Sequence, residues 1–292
     1  MTEPTSERAA SPMPQPTGGA RRRSAKRLIR VCIAGATGWA GSALAAGVMA
    51  ADDLQFVSAV SRSAAGMDLG VALGGAALGV PVTASVPEAL LDDVDVLVDY
   101  TSHEAVWANV RAAIERGVAV VVGASGLTAA EFAEIDDLAR QRGVGVIAAG
   151  NFSLTAAMAQ AAALLVARHL PNVEVIDYAG ASKPDAPSGT AREVAERLAA
   201  AGATSTEAPV DVDASTLAAR GTAVGPVRVH SLRLPGFSVS TEIVFGLPDE
   251  RLTIRHDAGM SAAPYVAGTL LAIRRVVGRV GLTRGLDTLL VE

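Results

Sequence analysis

Apolar runs and segments of helical periodicity alternate along the first half of the chain. The short apolar runs are typical of buried strands in a parallel sheet, and they cover residues 30–35, 56–60, 94–100, 118–122 and 144–148. Helical patterns separate them over residues 39–51, 103–116 and 128–140. Strands that alternate with helices predict right-handed βαβ crossovers and therefore a doubly wound parallel sheet.

The pattern changes after about residue 150. The sequence predicts helices over residues 153–168, 192–201 and 262–278 and a strand over residues 173–178. Period-two alternation over residues 227–233, 239–245 and 250–257 predicts three successive antiparallel strands. We therefore expect an α/β protein with two domains. A parallel-sheet domain comprises residues 29–150 and is completed by residues 262–292, and a mixed α/β domain comprises residues 151–261.

Composition excludes several classes of protein. Half of the 292 residues are hydrophobic, which is enough for a sizeable core, and a net charge of −5 gives no electrostatic footprint for nucleic acid. The single cysteine, Cys32, excludes an intrachain disulfide and a multi-cysteine metal site, and its strand context predicts a buried thiol. No segment has the length and apolarity of a membrane span. We expect a soluble protein with neither a metal centre nor a membrane partner.

The amino-terminal residues 1–28 predict a disordered tail, because they are rich in Ser, Pro, Thr, Arg and Gly and have no apolar period. Basic residues at 21–23 and 26–27 precede an Ala-rich run, which superficially resembles an export signal. That run belongs to the first βα unit, and cleavage would destroy it. We therefore interpret residues 1–28 as a solvated basic tail of a cytoplasmic protein.

A glycine-rich turn is the first candidate site. It follows the first predicted strand and opens a helix, which is the context that a dinucleotide fingerprint requires. Its glycines permit close backbone approach to a pyrophosphate at the helix N-terminus. The candidate cofactor residues are Gly35, Thr37, Gly38, Trp39, Ala40 and Gly41. A plain tight turn is the alternative.

The end of the second predicted strand indicates which cofactor binds. Sites for NAD normally place an acid there to accept a hydrogen bond from the ribose 2′-hydroxyl. Here Ser61 and Arg62 follow the strand instead, and a guanidinium can hold a 2′-phosphate. The sequence therefore predicts NADPH, with NADH as a possible second cofactor. A solvated loop arginine is the alternative.

A second motif runs from Lys183 to Ala191 and reads KPDAPSGTA. It places a lysine beside a rigid loop whose Ser188, Gly189 and Thr190 open a helix. Hydroxyls and free N–H groups at a helix start can hold an anion, and the lysine can supply a proton to a substrate that accepts a hydride. An ordinary N-cap role for Ser188 is compatible with this interpretation.

Together with residues 99–101, 123–126 and 149–153, these motifs resemble the 4-hydroxy-tetrahydrodipicolinate reductase (dihydrodipicolinate reductase) family over residues 29–290. The resemblance implies a Rossmann-like cofactor domain and a substrate and oligomerisation domain. It also implies NAD(P)H-dependent reduction of dihydrodipicolinate in the diaminopimelate route to lysine, by a cytoplasmic homotetramer.

The resemblance also assigns roles to individual positions. Lys183 donates the proton or binds the small anionic substrate, and Ser188, Gly189 and Thr190 hold its carboxylate. The positions that line the nicotinamide are Gly123, Ser125, Gly150, Asn151 and Phe152.

One feature of the family is missing. Its members usually carry a His-His pair four and three residues before the lysine, and here Ala179 and Gly180 occupy those places. None of the four histidines of the chain fills the gap by sequence, so Lys183 or Tyr178 is the candidate proton donor. Two alternatives remain: a related reductase of another cyclic or amino-acid-derived imine, and a non-catalytic NADPH-binding protein.

Overall fold

The computed structural model describes residues 27–90, 93–207, 213–237 and 239–290. Its strands are β1 Ile29–Ala34, β2 Leu54–Val60, β3 Val82–Thr83, β4 Val96–Asp99, β5 Ala119–Val122, β6 Gly145–Ala148, β7 Val173–Ala179, β8 Thr222–Val224, β9 Val227–Arg233, β10 Val239–Leu247, β11 Glu250–Asp257 and β12 Gly281–Arg284. Its α-helices are α1 Trp39–Met49, α2 Leu69–Ala72, α3 Val86–Ala89, α4 Val106–Glu115, α5 Ala129–Arg142, α6 Leu154–Ala167, α7 Gly189–Ala200, α8 Ala214–Ala219 and α9 Ala263–Val276. The predicted tail lies almost entirely outside the described residues.

Seven strands form a parallel sheet in the order β12-β6-β5-β4-β1-β2-β3. The order reverses between β1 and β4, which is the switch point at which open α/β sheets bind ligands. The predicted doubly wound, Rossmann-like sheet is therefore confirmed. The two outermost strands, β3 and β12, were not predicted, because β3 has only two residues and β12, with the sequence GLTR, contains no apolar run.

The second sheet is mixed, with five strands in the order β11-β10-β7-β9-β8. The prediction of three successive antiparallel strands is correct for the β10–β11 hairpin and wrong for β9. Strand β9 runs parallel to β7, which lies between β9 and β10. Period-two alternation reports which face of a strand is buried, but it does not report which neighbour the strand pairs with.

Small aliphatic side chains form the core. Two apolar clusters cover the two faces of the parallel sheet, and a third lies between α6, α7 and the mixed sheet. The buried position predicted for Cys32 is confirmed, and burial raises the pKa of its thiol to about 12. Such a thiol stays protonated at neutral pH and is a poor nucleophile.

The carboxy-terminal segment returns to the parallel sheet. Helix α9 packs on α1, and β12 pairs with β6. Within the described ranges, no helix is long and apolar enough to cross a membrane. The same ranges hold no group of three His, Cys, Asp or Glu residues placed to bind a metal ion.

Candidate active site

The glycine turn brings backbone into contact with backbone. Gly35 has a φ of +82°, and a Cβ there would lie 2.5 Å from the carbonyl oxygen of Tyr100. A Cβ at Gly41 would overlap the carbonyl oxygen of Gly35. No side chain caps the amides at the start of α1, whose N-cap is Gly38, and its first turn carries no acid. A cradle of this kind fits a dinucleotide pyrophosphate, which needs close approach and unpartnered N–H groups.

The end of β2 presents hydroxyls and a cation. Thr37 Oγ1 and Ser61 Oγ lie 2.6 Å apart, and Ser61 Oγ lies 3.3 Å from Ser63 Oγ. The Arg62 side chain is exposed, and within the described ranges no hydrogen bond or ion pair holds its guanidinium. The Thr37–Ser61 contact places these groups beside the glycine turn.

A cleft of about 240 Å³ joins the two motifs. The predicted site residues that line it are Trp39, Ala40, Gly123, Ser125, Gly150, Asn151, Phe152, Lys183, Ser188, Gly189 and Thr190. The remaining predicted residues, Gly35, Thr37, Gly38, Gly41, Ser61 and Arg62, do not line it and belong to the adjoining turn and strand end. The tertiary fold therefore brings the start of α1, the ends of β5 and β6 and the start of α7 around one space.

Lys183 reaches this cleft from the loop after β7. Its Nζ lies 2.8 Å from Asp185 Oδ1, and about a third of the lysine side chain is exposed. An ammonium in this position can contact a substrate carboxylate or donate a proton. Tyr178, the other candidate donor, does not line the cleft. Its hydroxyl donates to Glu242 at 3.0 Å.

Ser188 is bound to a buried acid. Its hydroxyl donates to Asp177 Oδ1 and its amide to Asp177 Oδ2, each at 2.7 Å, and the hydroxyl also accepts from the Ala191 amide at 3.2 Å. Ser188 is therefore the N-cap of α7, and its polar groups are already paired within the chain. The cleft-lining groups left at this helix start are the amides of Gly189 and Thr190, which suit an anion.

Asp177 organises the loop from beneath. It is fully buried, and it accepts a hydrogen bond from Arg233 Nη2 at 2.8 Å. The same Nη2 donates to the Asp185 carbonyl at 2.6 Å. Asp177 and Arg233 thus tie both ends of the 185–188 segment to the mixed sheet. Sequence reasoning missed them, because an acid and an arginine on two different strands leave no local signal.

Aromatic residues complete the cleft. Tyr265 of α9 lines it and packs edge-to-face on Trp39, with ring centroids 5.8 Å apart. Tyr100 lies against Gly123, where a Cβ would overlap its ring, and its hydroxyl bonds to Thr269 at 3.1 Å. Sequence reasoning missed Tyr265, which follows Trp39 by more than two hundred residues.

No histidine lines the 240 Å³ cleft, although His103 lines an adjoining cavity that shares Gly123, Ser125 and Gly150 with it. Ala179 is fully buried and pairs with Val239 in the mixed sheet, and none of the four histidines lines the cleft. His230 bonds to Glu174 at 2.7 Å, and His256 to Thr155 at 3.0 Å. Among the described residues that line the cleft, Lys183 is the cationic side chain.

Comparison with known proteins identifies the family. The family models for the N-terminus and the C-terminus of dihydrodipicolinate reductase match residues 29–152 and 151–290. The 4-hydroxy-tetrahydrodipicolinate reductase of Synechococcus elongatus is 40% identical over 271 residues, covering 90% of this chain and 98% of the relative. That of Thermosynechococcus vestitus is 37% identical, covering 90% and 97%.

A solved structure agrees with these sequence matches. The dipicolinate-bound dihydrodipicolinate reductase of Paenisporosarcina sp. TG-14 is similar to this chain with a TM-score of 0.71 and 28% identity, covering 89% of this chain and 99% of that one. The resemblance inferred from the motifs is thereby confirmed over the whole described fold. The chain belongs to the dihydrodipicolinate reductase family.

Proposed function

We propose that this protein reduces dihydrodipicolinate or its hydrated form, 4-hydroxy-tetrahydrodipicolinate, to tetrahydrodipicolinate with NADPH, in the diaminopimelate route to lysine. The observation that carries the proposal is the shared cleft, in which residues of the cofactor motif and Lys183 face one space. The chain is an oxidoreductase that uses a pyridine nucleotide, as its family membership indicates.

The chemistry of the cleft suits a small dicarboxylate. A related enzyme has been solved with dipicolinate, a planar ring that carries two carboxylates. In this chain, the Gly189 and Thr190 amides and Lys183 offer donors of positive character to such a ligand. Phe152, Val239 and Tyr265 give the rest of the space apolar and aromatic walls.

Reduction of dihydrodipicolinate adds one hydride and one proton across its C=C–C=N unit. The hydrated form first loses its 4-hydroxyl group as water, which gives the same unit. The hydride would come from a nicotinamide held in this cleft. Residues at the ends of β5 and β6, Gly123, Ser125, Gly150, Asn151 and Phe152, would orient that ring. The α7 amides and Lys183 would bind a carboxylate, and Lys183 Nζ would give its proton to the substrate carbon or nitrogen. Ion pairing with Asp185 keeps the ammonium in place before the substrate arrives.

A second candidate function keeps the fold and cofactor and changes the substrate to another cyclic or amino-acid-derived imine. Ala179 and Gly180 at the places of the family's His-His pair favour it. A non-catalytic NADPH-binding protein is the third candidate. It is disfavoured because such a protein would have no chemical need for a lysine that faces the cleft.

The deciding experiment follows NADPH oxidation with freshly generated dihydrodipicolinate precursor and with a panel of cyclic imines. Rapid oxidation with the precursor alone would support the first function. Oxidation with another imine alone would support the second. Tight NADPH binding without turnover on any substrate would support a non-catalytic role.

Cofactor choice gives a separate prediction. Arg62→Ala is expected to raise the dissociation constant for NADPH about tenfold, because a charge-assisted hydrogen bond to phosphate is worth about 1.5 to 3 kcal/mol and this site is exposed. The constant for NADH should stay unchanged, since NADH has no 2′-phosphate. Fluorescence titration of both nucleotides measures this, with Arg116→Ala, at the distant end of α4, as the matched control. Equal weakening of both nucleotides would contradict the assignment of Arg62.

We also propose the domain division, the location and the assembly. Residues 29–150 with 262–292 would hold the cofactor, and residues 151–261 would bind substrate and associate into a cytoplasmic homotetramer. In support, β12 and α9 pack on the parallel sheet. The face of the mixed sheet opposite α6 and α7 leaves Ile176, Leu232 and Val244 around an open cavity of about 770 Å³.

A further inference from the structure

A buried acid beside the cleft, in the wall of an adjoining cavity, joins the two halves of the site. Glu193 lies on the second turn of α7 with only 5% of its surface exposed. Its Oε2 accepts a hydrogen bond from the amide of Gly150, at the end of β6. Its Oε1 has no hydrogen-bond partner and lies 3.8 Å from Arg197 Nη1. Burying a carboxyl group costs free energy unless the group is hydrogen-bonded. Among the described residues, the Gly150 amide is the hydrogen-bond donor to this carboxyl group.

The same glycine is bound from the other side. Thr190 Oγ1 donates to the Gly150 carbonyl at 2.8 Å, so both backbone polar groups of Gly150 bind to α7. A Cβ at Gly150 would lie 3.0 Å from the Gly189 carbonyl oxygen and 3.2 Å from Thr190 Cα. The loop that would line the nicotinamide therefore packs, backbone to backbone, against the helix start that would hold the substrate carboxylate.

Glu193 is not needed to hold Arg197 in place. Arg197 forms a bidentate ion pair with Asp287 in the turn after β12, in which Nη1 donates to Oδ1 and Nη2 lies 2.7 Å from Oδ2. Glu196, one turn further along the helix face, pairs with Arg284 at 3.3 Å. These two pairs already fasten α7 to the carboxy-terminal segment. Glu193 adds the link to the cofactor loop.

We propose that Glu193 is a positioning residue: by holding the Gly150 amide, it sets the distance between the nicotinamide loop and the anion-binding start of α7, and hence between hydride donor and acceptor. The proposal deepens the proposed function and rests on it for its kinetic test. Hydride transfer is sensitive to this distance, and a misplacement of about 1 Å can cost about a hundredfold in rate.

The test compares Glu193→Met with Glu193→Gln. Methionine fills a similar volume without an acceptor, whereas glutamine keeps an oxygen for the Gly150 amide. We expect E193M to lower kcat by about ten- to a hundredfold and to raise the isotope effect with 4-deuterated NADPH. The NADPH dissociation constant should stay within about twofold, since the proposed pyrophosphate and ribose contacts lie at the glycine turn and the end of β2. E193Q should restore kcat to within about threefold of the parent. Glu196→Met is the matched control, because its carboxylate does not touch the loop.

A second readout needs neither turnover nor cofactor. Amide hydrogen exchange of Gly150 in the free protein should accelerate in E193M and remain at the parent rate in E193Q and E196M. Parent-like exchange and kinetics in E193M, a failure of E193Q to rescue, or an E193M protein that does not fold would each overturn the positioning role. If the parent protein does not reduce the precursor, the proposed function fails, and the exchange rates of Gly150 still decide whether Glu193 holds the loop.

Discussion

Lys183→Met is expected to lower kcat by about 10²- to 10⁴-fold, the range that positioned proton transfer contributes. Lys183 is the cationic side chain among the described cleft residues, and it lies on the loop after β7 rather than on the glycine turn. The NADPH dissociation constant should therefore stay within about twofold of the parent value. Stopped-flow NADPH oxidation and fluorescence titration measure the two quantities.

Lys183→Arg separates charge from proton donation. Arginine keeps the positive charge that attracts a carboxylate, but it does not give up a proton at any pH of interest. We expect K183R to recover KM better than K183M while kcat remains low. A K183M protein with kcat within about threefold of the parent would rule out Lys183 as the acid. Equal losses of NADPH affinity and turnover would instead show that the substitution damages the whole cleft.

Asp177→Ala is expected to destabilise the protein by about 3 to 5 kcal/mol, because removing one partner of a buried ion pair leaves the other uncompensated. Arg233 would lose its carboxylate partner at 2.8 Å, and Ser188 would lose the acceptor of both its hydroxyl and its amide. The freed 185–188 segment should also raise KM for the substrate. Urea unfolding measures the free energy, and steady-state kinetics measure KM.

Ser188→Ala is the matched control for Asp177→Ala. It removes one hydroxyl, which caps α7 and donates to Asp177, and leaves the Arg233 pair in place. The loss of an N-cap costs about 1 kcal/mol, so the free energy of unfolding of S188A should be well above that of D177A. A D177A protein within about 1 kcal/mol of the parent would show that the Asp177–Arg233 pair does not hold the loop.

Local patterns in the sequence predict most of the first sheet and the two motifs of the cleft. Residues 31–34 and 118–122 form short apolar runs because both faces of β1 and β5 are covered there, and a run of consecutive residues shows this burial directly. Gly35 and Gly41 are glycines because backbone meets backbone there. The start of α7 is also a local signal: Ser188, Gly189 and Thr190 are predicted to open the helix, and it begins at Gly189 with Ser188 as its N-cap.

The sequence by itself determined the alternation of strands and helices, the glycine-rich turn and the loop that carries Lys183, because each depends on residues a few positions apart. The tertiary structure decided which strands are neighbours, and so it placed β9 beside β7 and β12 at the edge of the parallel sheet. It also decided that the Ser188 hydroxyl binds Asp177 and that Glu193 binds Gly150. Contacts between distant residues depend on how helices and strands pack on one another, and no period or spacing within one segment encodes that packing.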